Sequence, residues 1–479
     1  MSYDELLLVC CYSLLQAGIS TIISVALALP LAHFFAQYTF WGKKFFLSLL
    51  LFFCIMPTKL CALSVKLFYG LHGLPGIVTA HVLLNLPFAC YLLYTAYQKI
   101  DWLTVWAAAD LGASFRQQYK DVILPQIKPA LLLTSLTIFL LCFSSFSIPR
   151  MLGTHYYHYT PDVLLFFANK LGNDQAVRWC FFLRLLVMIP LGLLYNYLLH
   201  TKAYAPTTHV SHTKKPIVFN VYCHGLKWLS YAVFILCILG GPLMALFVDA
   251  LRHDVPSFLY NSFWSIDPLL KISISSVLRH SLAIAIVSSV GSLVLGSILA
   301  GFQLFVPSHY TRIIMHAVAI LPLLVGNVAS GMFCAEGKMI ATDAPYTAII
   351  ISHLILHYPF VYRFIIMQLY AYPTQLTQLA QSSGALPHQV FRTILLPFVR
   401  NALSKAWSIA FGLSLIEVGA GAVVADNMPL TIPLAMRLYY AHGRLDGFLG
   451  LSFILLMMIC TVSYVVGMYG HRLQDEIQY

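Results

Sequence analysis

Charged side chains are scarce in this 479-residue chain: Asp, Glu, Lys and Arg together make up 9% of it, against 60% hydrophobic residues. Soluble domains typically carry about 25% charged residues, so water is excluded as the main solvent. Mean hydropathy is +0.80. Short alternating strands are lacking and long apolar runs stand in their place, which excludes a membrane β-barrel. The 11 cysteines include no C-x-x-C pair, and they read as small apolar core residues rather than metal ligands or disulfides. No G-x-x-x-x-G-K-[ST] phosphate loop occurs, so the chain is not expected to hydrolyse ATP. Neither an H-E-x-x-H helix nor a Ser-His-Asp arrangement points to catalysis. No enzyme activity, metal or cofactor is therefore expected on this chain.

The runs that are present define an all-α polytopic membrane protein. A hydrocarbon core about 30 Å thick needs roughly 20 apolar residues per helix. Candidate spans are 6–35, 45–69, 74–97, 129–150, 176–200, 226–250, 280–305, 313–335, 345–371, 403–425 and 446–470. The acidic start MSYDE precedes a run long enough to span, so no cleavable signal peptide is expected. Pro57, Pro87, Pro322 and Pro359 fall inside spans and are expected to kink them. Lys and Arg outnumber Asp and Glu by 28 to 17, and an excess of this kind in a membrane protein marks cytoplasmic loops rather than nucleic-acid binding. Segments 37–44, 98–128, 201–225 and 372–405 carry the basic residues and fall on one side, expected to be cytoplasmic. The polar stretch 201–224 reads as a cytoplasmic linker between a first half, 1–200, and a second, 225–479.

An internal repeat supports that division. AHVLLNLPF at 80–88 resembles SHLILHYPF at 352–360, which pairs His81 with His353 and Pro87 with Pro359. The same offset of 272 residues pairs Ala108 with Ala380, Gly112 with Gly384, Gln117 with Gln389, Pro125 with Pro397, Pro161 with Pro433 and Asp174 with Asp446. Matches of Gly, Pro, His and Asp at one spacing are rare by chance in an apolar chain. The halves are expected to be parallel copies related by a pseudo-two-fold axis, with about 5 spans in the first and 6 in the second.

Both copies contain a polar interruption, WAAADLGASFRQQYKDVILP at 106–125 and QLAQSSGALPHQVFRTILLP at 378–397. Small residues begin each, a glycine follows, then an aromatic-basic pair (Tyr119-Lys120, Phe391-Arg392), and Leu-Pro comes last. This pattern predicts a short helix broken at a glycine in the left-handed region. A second short helix is expected to be closed by the proline before the next span. Such an element suits docking of a cytoplasmic partner.

The spacing resembles the E-A-A-x₃-G-x₉-I-x-L-P loop of permease subunits of binding-protein-dependent ABC importers. Ala107, Ala108, Gly112, Val122, Leu124 and Pro125 match in the first copy, and Ala380, Gly384, Ile394, Leu396 and Pro397 in the second. Trp106 and Gln378 stand where the family often has Glu, and Leu379 replaces an Ala. The resemblance covers nearly the whole chain and is to the fused, two-in-one permeases (type I). It implies that both loops, with Lys120 and Arg392, couple to two copies of a cytoplasmic ATPase subunit that carries the ATP and Mg. A periplasmic solute-binding protein and a multi-pass position in the bacterial inner membrane are implied with it. The stretches 76–93, 140–153 and 413–440 resemble thiamine permeases, including Ser414-x-x-Glu417-x-Gly419 for their Ser-x-x-Asp-x-Gly. Ferric iron permeases come next, and an ion-coupled secondary transporter is the alternative from another class.

Single residues allow more than one reading. Glu417 falls in the tenth expected span, where an acid is costly. It could line a translocation path together with Ser145, its counterpart in the first half, attract a cation, or pair with a buried arginine such as Arg363. His155 and His158 are open to metal or substrate contact, but without a carboxylate cluster they read more simply as surface or interface residues. His81 and His353 read as satisfied core histidines. Residues 160–174 and 431–446 are too short to span and are expected to form external amphipathic helices.

Overall fold

With no water in a bilayer core to satisfy the backbone, apolar runs of this length must form helices, and among the described residues they do. The computed structural model describes residues 3–40, 43, 46–47, 50, 56–98, 100–200, 217–218, 240–305, 309–336, 345–370, 372–425 and 431–475. Among these, eight helical runs are long and apolar enough to cross a membrane. The only strand pairing among the described residues is a two-residue parallel one, Tyr38–Thr39 with Ile217–Val218. The protein is an all-α polytopic membrane protein.

The chain forms two compact units, Met1–His253 and Asp254–Tyr479. The first contains α1 (Tyr3–Gln37), α2 (Thr58–Tyr69), α3 (Gly73–Tyr97), α4 (Trp102–Asp110), α5 (Phe115–Gln117), α6 (Leu124–Phe143), α7 (Ser147–Leu152), α8 (Pro161–Lys170), α9 (Asp174–His200) and α10 (240–252). Its core is the packing of α1 on α3, with α6 against both. Ala17, Ala28 and Ala32 of α1 and Ala80 and Ala89 of α3 are fully buried. Small side chains of this kind let membrane helices approach closely, where packing rather than water exclusion drives association. Helix α10, expected within the second half, belongs to the first unit, where a Cβ on Gly241 would meet the Phe68 ring of α2 at 2.6 Å. The expected linker 201–224 lies outside the described residues except for Ile217–Val218.

The second unit contains α11 (Val255–Ser262), α12 (Ile274–Phe305), α13 (His309–Val325), α14 (Asn327–Glu336), α15 (Pro345–Tyr370), α16 (Thr374–Ser382), α17 (Pro387–Val390), α18 (Leu396–Ile416), α19 (Gly419–Val424), α20 (Ile432–Ala441) and α21 (Leu445–Asp475). Here α12 packs on α15, with α18 against both, the same arrangement of three helices. Ala300, Ala319, Val361, Ala406 and Ala410 share its buried core.

Four expected spans require correction or lie partly outside the described residues. The span 313–335 is not one helix. Pro322 removes a backbone donor, and Gly326, at φ 86°, separates α13 from α14. The span 129–150 stops at Phe143 and is followed by the separate helix α7. The span 45–69 is described at 46–47, 50 and from residue 56, with α2 beginning at Thr58 after Pro57, and 226–250 is described only from residue 240. Residues 160–174 and 431–446 form the expected short helices, α8 and α20, with mostly buried side chains.

Candidate functional site

The two polar interruptions fold alike. In the first, Asp101 caps α4 by accepting from the Leu103 amide at 3.1 Å. The helix ends with the Leu111 amide on Ala107 O (3.1 Å), the Gly112 amide on Ala109 O (2.9 Å) and the Ala113 amide on Ala108 O (3.0 Å). The second repeats this with Ser383 on Leu379 O (3.1 Å), Gly384 on Gln381 O (3.0 Å) and Ala385 on Ala380 O (2.9 Å). Gly112 and Gly384 turn at φ 85° and 86°, a region that L side chains enter only with strain. Past the turn, Ser114 and Gln117 form a reciprocal capping box. Leu386 lacks the hydroxyl, but its amide still donates to Gln389 Oε1 at 2.8 Å. The matched Gln117 and Gln389 are thus explained: each closes the turn onto the next helix.

Leu-Pro does not close the second short helix, as the sequence pattern suggested. A proline ring crowds the carbonyl four residues earlier and has no N–H for it. Both copies absorb this by widening to a π turn, Gln118–Ile123 and Phe391–Leu395. The Leu124 amide reaches Tyr119 O, and the Leu396 amide reaches Phe391 O. Helicity therefore continues unbroken from Phe115 through α6 and from Pro387 through α18. A π turn of this kind often marks a functional position.

Around the turns lies an exposed surface that is partly apolar. Leu111 is 89% exposed and Phe115 67%; in the second copy Leu379 is 63% exposed and Phe391 55%. Ala107, Gly112, Lys120, Pro125, Gly384, Arg392, Leu396 and Pro397 are exposed, whereas Ala108, Leu124 and Ala380 are half-buried. The Tyr97 and Tyr119 hydroxyls meet at 2.8 Å and tie the first loop to α3. Gln126 accepts from the Asp101 amide at 3.0 Å and donates to Thr104 at 3.2 Å, which braces α4 against α6. Exposed apolar side chains on a rigid, basic-flanked turn are the features of a docking surface.

Ser145 and Glu417 occupy equivalent breaks rather than helix interiors. Ser145 follows α6 and offers its carbonyl to Thr160 Oγ1 at 2.6 Å. Glu417 follows α18; its Oε1 accepts from the Gly419 amide at 2.7 Å and the Ala420 amide at 3.3 Å, and its Oε2 accepts from Asn327 Nδ2 at 2.8 Å. Its partners are thus the start of α19 and the start of α14, not Arg363. The two helices pack so closely that a Cβ on Gly331 would lie 2.7 Å from Ala420 O. Replacing Glu417 by Ala is expected to cost about 1 kcal/mol of stability, the usual effect of losing a helix N-cap. Glu417→Gln keeps an acceptor oxygen and is expected to cost much less. Thermal denaturation of the detergent-solubilised variants ranks them, and equal losses would implicate the charge instead.

The sequence pattern missed an ion pair. Arg184 of α9, fully buried, donates through Nη1 to Asp162 of α8 and through Nη2 to Ser144 Oγ at 3.1 Å. An arginine well inside an apolar span was the available signal. His158 is a turn residue: its Nδ1 accepts from the Thr154 amide at 3.2 Å and the His155 amide at 3.3 Å. Burial, with His155 alongside, holds its imidazole below the ordinary histidine pKa. Among the described residues no group of three or more His, Cys, Asp or Glu side chains could hold a metal ion.

The thiamine transport system permease protein ThiP of Escherichia coli is 23% identical over 95% of this chain and 87% of its own length. This chain resembles the permeases of ABC importers, and thiamine permeases foremost. ThiP of Brucella abortus is 24% identical over 93% of this chain and 84% of its own length. A probable ABC transporter permease protein of Sinorhizobium fredii, y4fN, is 22% identical over 75% of this chain and 66% of its own. No family model matches. The likeness to ThiP runs through both units, as a fused permease requires, and its subject is a transport subunit in a membrane.

Proposed function

We propose that this chain is the transmembrane permease of an ATP-driven importer for a small solute, thiamine, in a bacterial inner membrane. The carrying observation is the matched pair of exposed, glycine-broken turns, each rigidly continuous with a long apolar helix. Two copies of a cytoplasmic ATPase subunit dock on 106–125 and 378–397, bind ATP and Mg, and drive the loops as they close and open. Ala107, Ala108, Gly112, Lys120, Leu124 and Pro125 form the first docking loop. Ala380, Gly384, Arg392, Leu396 and Pro397 form the second. A periplasmic binding protein delivers the solute, and the chain itself catalyses no reaction. Thiamine rests on the relatives' names. Ser145 and Glu417 remain candidates for the path, because each ends the helix that begins at a docking loop.

The test is uptake by proteoliposomes containing this chain, its ATPase and its binding protein. Labelled thiamine is expected to accumulate with ATP inside the cytoplasm-equivalent compartment and not with a nonhydrolysable analogue. Accumulation of ferric iron instead of thiamine would overturn the substrate. Accumulation driven by an ion gradient, with no ATPase present, would overturn the importer itself.

A further inference from the structure

One stretch of the second unit turns its largest apolar side chains outward. Tyr260, near the end of α11, is 86% exposed, and in the turn that follows Trp264 is 78% and Ile266 73% exposed. The turn itself is firmly tied. Asp267 is buried; its Oδ1 accepts from the Leu269 and Leu270 amides at 2.8 Å and 3.1 Å, and its Oδ2 from Arg444 Nη1 at 3.3 Å. The Arg444 guanidinium also lies 5.3 Å from the centroid of the Phe258 ring, and the Ser275 amide donates to Phe263 O at 3.0 Å. A turn held this way keeps three large apolar side chains off the protein and available to another surface.

The neighbouring helices set its depth. Leu259, next to Tyr260, packs on α21, where a Cβ on Gly450 would lie 3.0 Å from Leu259 Cδ2. Gly450 is inside Leu445–Val462, a run apolar and long enough to cross a membrane. On α12, Ile286, Val290, Val294, Ile298 and Phe302 form one exposed stripe. The stripe is about 24 Å long at ~1.5 Å per residue, most of a hydrocarbon core about 30 Å thick. The exposed Arg279 lies two helical turns before it, and Ser275, which holds Phe263, one turn earlier still. Helices α12 and α15 run in the same direction, since Cβ atoms on Gly291 and Gly296 would meet Leu354 and Val361 in that order. As α15 leads into the loop 378–397, the start of α12 lies at the opposite face of the membrane.

We propose that residues 255–271 form an interfacial anchor, resting in the leaflet opposite the docking loops with Tyr260, Trp264 and Ile266 inserted among phospholipids. Trp and Tyr concentrate at this depth because their rings are apolar while an N–H or O–H still needs a polar partner. The exposed Lys271 and Arg279 flank the turn, and their long stems let the charges reach lipid phosphates. A docked soluble protein fits less well, because Tyr260 adjoins Leu259 and so lies beside the apolar run of α21, where lipid surrounds the chain. The Arg444–Asp267 pair ties the anchor to the start of α21, so the lipid holds that end of the helix in register with the bilayer.

Quenching of tryptophan emission by brominated phospholipids tests this on the full-length chain in nanodiscs. The difference between the wild type and Trp264→Phe isolates the contribution of Trp264. That contribution is expected to fall roughly twofold or more with bromine near the headgroup end of the acyl chain, and clearly less with bromine near its methyl end, as insertion by about 5–10 Å requires. Tyr260→Trp in the Trp264→Phe background moves the probe and is expected to give the same order. Both rings are exposed, so neither substitution disturbs the core. Trp264 emission that no brominated lipid lowers overturns the proposal, as does stronger quenching from the methyl end. So does a blue shift of Trp264 on adding the solute-binding protein, which would mark the turn as a protein docking surface.

Discussion

Gly112→Pro and Gly384→Pro are each expected to lower ATP-driven uptake by about tenfold or more, while the ATPase subunits continue to hydrolyse ATP without stimulation by solute; a 1.4 kcal/mol change in coupling is already tenfold. The backbone dictates this outcome. Both glycines turn at φ near 85°, whereas proline fixes φ near −65°. Each also donates its amide to the preceding helix, at 2.9 Å and 3.0 Å, and proline has no amide to give. No atom lies within 4 Å of a Cβ placed on either glycine, so the fault is conformational and stays local to the loop. Alanine at these positions is the graded control, with an expected cost of about 1–2 kcal/mol for an L residue held in the left-handed region. Uptake and ATPase rates measured together on the reconstituted complex separate loss of coupling from loss of protein. Wild-type uptake in both proline variants would sink the assignment of these loops.

Arg184→Met is expected to destabilise the chain by about 3–5 kcal/mol, since it leaves the Asp162 carboxylate buried without its cation. Asp162→Leu alone strands the guanidinium and should cost a similar amount. The double variant, Asp162→Leu with Arg184→Met, should recover most of that loss, because a well-packed apolar pair of similar volume can replace a buried ion pair at little cost. Fluorescence-detected thermal unfolding of the purified variants measures the cycle. A single variant as stable as the wild type would show that the pair contributes nothing to the fold. The pair ties α8 and α9 to the end of α6 through Ser144, so uptake by the double variant also reports whether that end needs a polar anchor.

Much of this architecture was legible from residue order. Long apolar runs located the helices, because a membrane permits few alternatives. The matched glycines located the turns, because few residues other than glycine tolerate the left-handed region. The Leu-Pro pair misled: proline ordinarily ends a helix, but a π turn absorbs its missing bond locally and helicity carries on. Pro322 with Gly326 did the reverse, dividing a run that hydropathy alone joins. Glu417 was visible as an acid among apolar residues, yet one of its partners, Asn327, lies 90 positions away. Asp162 was hidden for the same reason, since its partner Arg184 lies on another helix. His81 and His353 were legible as a repeat, but that His353 Nδ1 meets Ser414 Oγ while neither ring nitrogen of His81 has a partner among the described residues depends on how the helices meet.

The unbroken helices that begin beyond the two glycine turns are of nearly equal length. Residues 115–143 and 387–416 each extend about 44 Å at a rise of ~1.5 Å per residue. Moved as a rigid rod, each would carry a tilt of 5° at the base into a displacement of about 3.8 Å at the tip. The tips, however, are seated differently. The first is held by a neutral carbonyl-hydroxyl contact at Ser145 and by Ser144 on Arg184, the second by a carboxylate that caps α19 and binds Asn327. Equal strokes from below would thus meet unequal resistance above, and a molecule built from two similar halves need not open them at the same moment.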